Sequence, residues 1–202
     1  ELEWRTICFE ILDQLLDSLN SSENDSGIAN WRIILGTSEA CYLIRHLDPC
    51  DYKGEDILRM EYCWTKYYGH LNCHVRALIA EGFFGIVGEM EFGRSGWDTG
   101  RALRYLQNYT EAIKRWLLDD EIWVLEHVYQ AFRIVVEKQT DDMALRSWAE
   151  KCFSHVEANP TCLLAHVSKQ TGKSWAELER GDFLRQIQAI QRSQLSQQRI
   201  SH

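Results

Sequence analysis

The chain has 202 residues, of which 45% are apolar, 11% aromatic and 26% charged, a composition that fits a folded domain and excludes a disordered or fibrous chain. Lys and Arg number 22 against 30 Asp and Glu, so the net charge of −8 offers no broad electropositive face to neutralise phosphates, and nucleic acid is not expected as a partner. At this length roughly 70% of the unfolded chain's surface can be removed from water, which makes disulfides and metal ions unnecessary for stability.

The first helical stripe is Trp4, Ile7, Cys8, Ile11, Leu12, Leu15, Leu16 and Leu19, expected to face a core. The polar stretch 20–27 ends it. A short second helix carries Ile34, Cys41, Leu43, Ile44 and Leu47 and closes at Asp48-Pro49, because the residue before proline is pushed out of the α region. Glu55 and Asp56 place negative charge at the next helix start, followed at helical spacing by Ile57, Met60, Trp64, Tyr67, Tyr68 and Leu71. Val75, Leu78, Ile79, Phe83, Ile86, Val87 and Met90 form a further stripe. Gly82, Gly85 and Gly88 interrupt it and predict either close backbone packing or a break.

After Gly93, Gly96 and Gly100 comes the cleanest stripe in the chain: Ala102, Tyr105, Leu106, Tyr109, Ala112, Ile113, Trp116 and Leu117. The acidic triplet 119–121 marks a turn. From Trp123 to Val136 apolar residues cover most of the helix circumference, the mark of a helix central to its domain. Beyond Lys138 the pattern weakens, although Met143, Leu145, Trp148, Cys152, Phe153 and Val156 still recur, and a boundary is expected there. Ser174 to Glu177 reads as a capping box opening a last helix with Leu178, Leu184, Ile187 and Ile190. Its glutamine-rich end, 186–198, is expected to fray or be disordered.

The seven cysteines, Cys8, Cys41, Cys50, Cys63, Cys73, Cys152 and Cys162, are odd in number and irregularly spaced, which suits buried thiols in a reducing compartment. The longest strongly apolar stretch, Phe83 to Val87, is far below the run of about 20 that spans a bilayer, so membrane attachment is expected to be peripheral or through a partner. Cys63, His70, Cys73 and His74 offer four zinc-type donors, with positions 63, 70 and 74 on one face if a helix runs through. No paired C-x-x-C accompanies them, and no metal or other cofactor is expected. The same residues could supply a Cys/His nucleophile, but there is no oxyanion loop, phosphate cradle or catalytic signature, so no enzyme activity is expected. Trp97, Trp116 and Trp123 either line a ligand pocket or pack as core. Asp98 and Arg101 are spaced as an i, i+3 surface pair.

Several segments, in order from about residue 3 to residue 137, resemble the adenovirus small T-antigen family, nineteen-kilodalton early proteins that act as viral Bcl-2-like inhibitors of apoptosis. Trp4, Phe9 and Leu15-Leu16 are similar to its first helix. Trp31-Arg32, three apolar residues, then 36–40 (Gly-Thr-Ser-Glu-Ala) and Arg45 keep its spacing. Leu71-Asn72 with Ala77-Leu78 resembles the next helix junction. Thr99-Gly100-Arg101-Ala102, with Trp116 sixteen residues after the glycine, resembles the region of the first Bcl-2-homology motif, and 132–136 (Phe-Arg-Ile-Val-Val) its next helix. Thr65 and Lys66 stand where the family has a small Gly-acidic step, the stretch from Ile79 to Trp97 is longer, and nothing after Lys138 resembles it.

The resemblance implies an all-α, Bcl-2-like helical bundle with a central apolar hairpin; the residue pattern places the bundle in residues 1–138, its hairpin at Gly100 to Leu118 and Trp123 to Val136, and a C-terminal helical extension in 139–202. It implies an apolar groove for a partner's amphipathic helix and, as partners, the pro-apoptotic proteins Bax and Bak, sequestered without covalent chemistry. Arg101 would supply a rim charge, flanked by Trp97, Asp98, Gly100 and Leu103, with Leu71 and Leu78 also lining the groove. The implied location is inside the host cell, on the cytoplasmic face of membranes and at the nuclear envelope. The rivals are a helical scaffold or adaptor without a groove, and a zinc-binding helical module.

Overall fold

A computed structural model describes scattered residues between 6 and 17 and residues 65, 68–70, 72–92, 99–138 and 142–200. The protein is all-α: the described residues form seven continuous helices, with further helical residues among 6–17 and at 65, and no strand. These are α1 (Cys73–Phe92), α2 (Thr99–Asn108), α3 (Thr110–Leu117), α4 (Ile122–Lys138), α5 (Met143–Glu157), α6 (Leu163–Thr171) and α7 (Arg180–Ile200), with a one-turn 3₁₀ helix, Trp175–Glu177, between the last two. None of the described helices is long and apolar enough to cross a membrane. By contacts the chain divides into two compact units, 1–102 and 103–202.

In the first unit α1 begins where Asn72 Oδ1 accepts the His74 backbone N–H at 2.9 Å, a side-chain cap. The helix then runs through Gly82, Gly85 and Gly88 without a break. Val75, the run from Ala77 to Ala80, Phe83 and Val87 are buried, so its middle turns are enclosed on every side. Ile7 and Ile11, expected to face a core, are exposed at 39% and 43%; spaced one turn apart, they share a solvent-facing stripe.

The second unit is built around α4. Val124, Leu125, Val128, Tyr129, Phe132 and Val135 are buried, and α3, α5, α7 and the 3₁₀ turn all pack on this helix. Its apolar surface exceeds its covered surface: Trp123 and Ile134, eleven residues apart and hence on one face, stay exposed at 56% and 37%.

The single helix expected from Gly100 to Leu118 is divided at Tyr109, whose φ of −102° and ψ of 20° leave helical values. The cause is next to it. Thr110 Oγ1 lies 3.1 Å from the Leu106 carbonyl and 2.8 Å from that of Gln107, a hydroxyl competing for the previous turn's acceptors, and Trp148 Nε1 donates to the same hydroxyl at 3.2 Å. The triplet 119–121 makes the expected turn, with the buried Asp119 carboxylate accepting the Glu121 N–H at 3.0 Å.

The boundary expected at Lys138 does not coincide with the division by contacts, which falls between 102 and 103. Residues after 138 supply core side chains to the same unit as α4. The Phe132 ring has its centroid 5.5 Å from that of Trp148, 5.7 Å from Phe153 and 5.4 Å from Trp175, and Tyr129 stacks on Phe183 at 4.2 Å. The capping box at Ser174 and Glu177 is formed, but it caps only the 3₁₀ turn, and α7 starts afresh at Arg180. Leu178 is extended between them because its carbonyl is drawn aside, accepting Tyr129 Oη–H at 2.6 Å and Arg133 N–H at 3.0 Å. Past its buried Phe183, Ile187 and Ile190, α7 stays helical through the glutamine-rich segment to Ile200.

Candidate functional site

The residues expected at the groove are only partly within the described structure. Gly100 and Arg101 open α2, with Gly100 exposed and one turn ahead of the half-buried Leu103. The side chain of Arg101 lies outside the described structure, as do Trp97, Asp98 and Leu71. Leu78 is buried in α1. Thr65 is exposed and helical, and Lys66 lies outside the described residues. Only Gly100, Arg101 and Leu103 are thus placed together, on the first turns of one helix.

The zinc-type donors do not share a helical face. His70 precedes α1, its Nδ1 accepts the Asn72 backbone N–H at 3.1 Å, and its carbonyl accepts from Arg76 at 2.9 Å, so the ring and backbone help cap the helix. Cys63 lies outside the described residues, and no group of three His, Cys, Asp or Glu residues among the described ones is placed to hold a metal ion. The tryptophans separate in the same way: Trp116 is fully buried in α3 and Trp123 is exposed, so they do not share a pocket.

Cys152 is buried and its thiol is pushed up to about 12 by burial, so it stays protonated and unreactive at neutral pH. Burial also raises the Cys162 thiol. Cys73, Cys152 and Cys162 are free thiols.

A cleft that the sequence did not disclose lies within the second unit, where α5, α6 and the 3₁₀ turn meet, with a volume of about 920 Å³. Phe153, Val156 and Trp175 line its apolar part and charged side chains line its rim. Periodicity marks Phe153 and Val156 as apolar positions of α5, but no local signal places α6 beside them. No protein-family model, curated protein or solved structure matches the chain.

Proposed function

We propose that the chain is a viral Bcl-2-like inhibitor of host apoptosis that sequesters Bax- and Bak-type proteins by seating their amphipathic death helix in an apolar groove, without covalent chemistry. The observation that carries this reading is the ordered series of segments resembling the adenovirus small T-antigen family, from Trp4 to Val136. The α-helical class and the packing of α3 against α4, two consecutive apolar helices, support it. A protein of this kind acts inside the host cell, at the cytoplasmic face of membranes and the nuclear envelope, reached peripherally or through a partner.

Arg101 is the residue on which the reading turns. At the start of α2, a guanidinium there can clamp a partner carboxylate bidentately and set the register of the bound helix. The test is a titration of the whole protein with labelled death-helix peptides of Bax and Bak, with thermal midpoints on the same samples. Arg101→Glu is expected to weaken binding by about 2–5 kcal/mol, through a lost attraction and an added repulsion, while stability changes by less than about 0.5 kcal/mol. Lys151→Glu, on an exposed face of α5, serves as the control for overall charge and is expected to change neither. Equal affinity in wild type and Arg101→Glu removes Arg101 from the site, and no binding by wild type overturns groove capture.

A scaffold or adaptor without a groove is the second reading. One observation favours it: the chain's own α5, α7 and 3₁₀ turn already pack on α4. A cooperative fold that binds none of the peptides is its expected signature.

A further inference from the structure

The cleft between α5, α6 and the 3₁₀ turn has a shape, a floor and a charge pattern that together define a class of ligand. Arg146, Glu150, Phe153 and Glu157 line it from α5, and their spacing of four, three and four residues puts them on one helical face. Eleven helical steps at 1.5 Å make this side roughly 16 Å long, about five residues of extended chain. The floor is aromatic and apolar: Trp175 is 1% exposed, Val156 2%, and the Phe153 and Trp175 rings lie 5.7 Å apart. Trp175 Nε1 is a buried donor with no hydrogen-bond partner.

The banks differ in net sign. Lys169 and Lys173, with Glu177, line the cleft from α6, the turn after it and the 3₁₀ turn, whereas Glu150 and Glu157, with Arg146, line it from α5. Lys169, Lys173, Glu150 and Glu157 are exposed, and none of these four makes an ion pair among the described residues. Opposite charges that do not meet each other leave room for a ligand that meets both. A fatty acid or a nucleotide carries one sign of charge and would set it against one bank. A polypeptide carries both, with an apolar side chain between.

We propose that this cleft binds an extended peptide segment of about five residues, seating an apolar side chain over Phe153 and Trp175, an acidic residue against Lys169 and Lys173, and a basic residue against Glu150 and Glu157. This binding is distinct from helix capture by the proposed groove, and neither depends on the other.

The experiment is fluorescence anisotropy of the whole protein with labelled, end-capped pentapeptides: Lys-Gly-Phe-Gly-Asp, its reverse (both chain directions being open), the neutral Ser-Gly-Phe-Gly-Ser, and Lys-Gly-Ser-Gly-Asp. One charged phenylalanine peptide is expected to bind at least about fivefold more tightly than the neutral and phenylalanine-free ones, the size of two exposed ion pairs. Lys169→Glu with Lys173→Glu is expected to weaken that peptide about fivefold and to gain affinity for Lys-Gly-Phe-Gly-Lys. Glu150→Lys with Glu157→Lys is a second, independent reversal, expected to favour Asp-Gly-Phe-Gly-Asp, so a folding failure in one pair leaves the other decisive. Equal affinity for the neutral peptide, unchanged affinity in both reversed proteins, or no binding at all overturns the proposal. Competition by 1-naphthylacetate at a concentration equal to the peptide's own Kd also overturns it, in favour of a small-molecule pocket.

Discussion

The α3–α4 hairpin and the arm formed by α5, α6 and α7 make up one unit but are constructed differently. In α3 one face is buried, with Ala112, Ile113, Trp116 and Leu117 inside, whereas α4, apolar nearly all round in sequence, buries Val124, Leu125, Val128, Tyr129, Phe132 and Val135 on one broad face and leaves Trp123 and Ile134 exposed. The helices of the arm are each one-sided. Leu145, Trp148, Cys152 and Val156 line the inner face of α5, and Phe183, Ile187 and Ile190 that of α7, with exposed polar residues between them. A two-helix hairpin cannot cover an all-round apolar helix, because one neighbour shields only one side of it. The arm's α5 and α7, with the 3₁₀ turn, pack on α4 beside α3 and widen the face it buries, so a segment with the weaker apolar pattern adds to the core of the one with the stronger.

The largest effect expected from this dependence follows truncation after Lys138. Removing Trp148, Phe153, Trp175 and Phe183 bares Tyr129 and Phe132, and the fragment 1–138 is expected to lose cooperative melting of its 103–138 part. Near-ultraviolet circular dichroism during a thermal melt measures this. A fragment that melts cooperatively near the midpoint of the whole chain would show the hairpin to be self-sufficient.

Phe132→Ala tests the joint at one residue. Its ring touches aromatic rings from α5 and from the 3₁₀ turn and is fully buried, so a loss of about 3–5 kcal/mol is expected in urea unfolding. The exposed Ile134→Ala on the same helix should cost less than about 1 kcal/mol. Similar costs at the two sites would mean that the arm adds little to the burial of α4.

A smaller effect comes from Cys152 on the inner face of α5. Burial pushes its thiol up to about 12, against an ordinary value of 9.0 in the unfolded chain. Between those pH values the unfolded chain has released a proton that the folded chain keeps, so stability falls as pH rises from about 9 towards 12. At pH 10.5 the loss relative to pH 8 is expected to exceed that of Cys152→Ala by about 2 kcal/mol. Identical pH profiles in urea for the two proteins would place the thiol in contact with water.

The smallest effect sharpens the contact between α4 and the entrance to α7. Tyr129 Oη donates to the Leu178 carbonyl and accepts from Arg133 at 2.9 Å, and Arg133 also pairs with Glu179 at 3.1 Å. Tyr129→Phe keeps the stack on Phe183 and leaves the carbonyl its bond from Arg133, so a cost of about 1–2 kcal/mol is expected. Arg133→Ala in the Tyr129→Phe background should then cost more than in the wild type, since it removes the last donor to that carbonyl. Strict additivity in a double-mutant cycle would mean that the two donors act independently.

Local chemistry accounts for what was legible in advance. The stripe from Tyr105 to Leu117 and most of the apolar residues from Trp123 to Val136 mark buried positions, although Trp123 and Ile134 at the same spacing stay exposed. The turn at Asp119 and the box at Ser174 and Glu177 are likewise contacts between near neighbours in the chain. Of the residues proposed for helix capture, Gly100, Arg101 and Leu103 lie on the first turns of α2, and Leu78 lies in the buried part of α1. The α5–α6 cleft was not legible, because its banks are 150–157 and 169–173, whose facing depends on how two helices pack rather than on any spacing within either.

By itself, then, the sequence determined the α-helical class, the central place of α4 in its unit and the positions that must be covered, because hydrophobic periodicity is a property of a single helix. Tertiary structure decided which residues do the covering. Beside the division at Tyr109, it sets the indole N–H of Trp148 on the hydroxyl of Thr110. It ends the 3₁₀ turn at Leu178, whose carbonyl is taken by α4, and it joins the segment after Lys138 to the core of 103–202. Each of these rests on a bond or ring contact between residues 16 to 54 positions apart, a range over which the pattern of one helix carries no information about its neighbour.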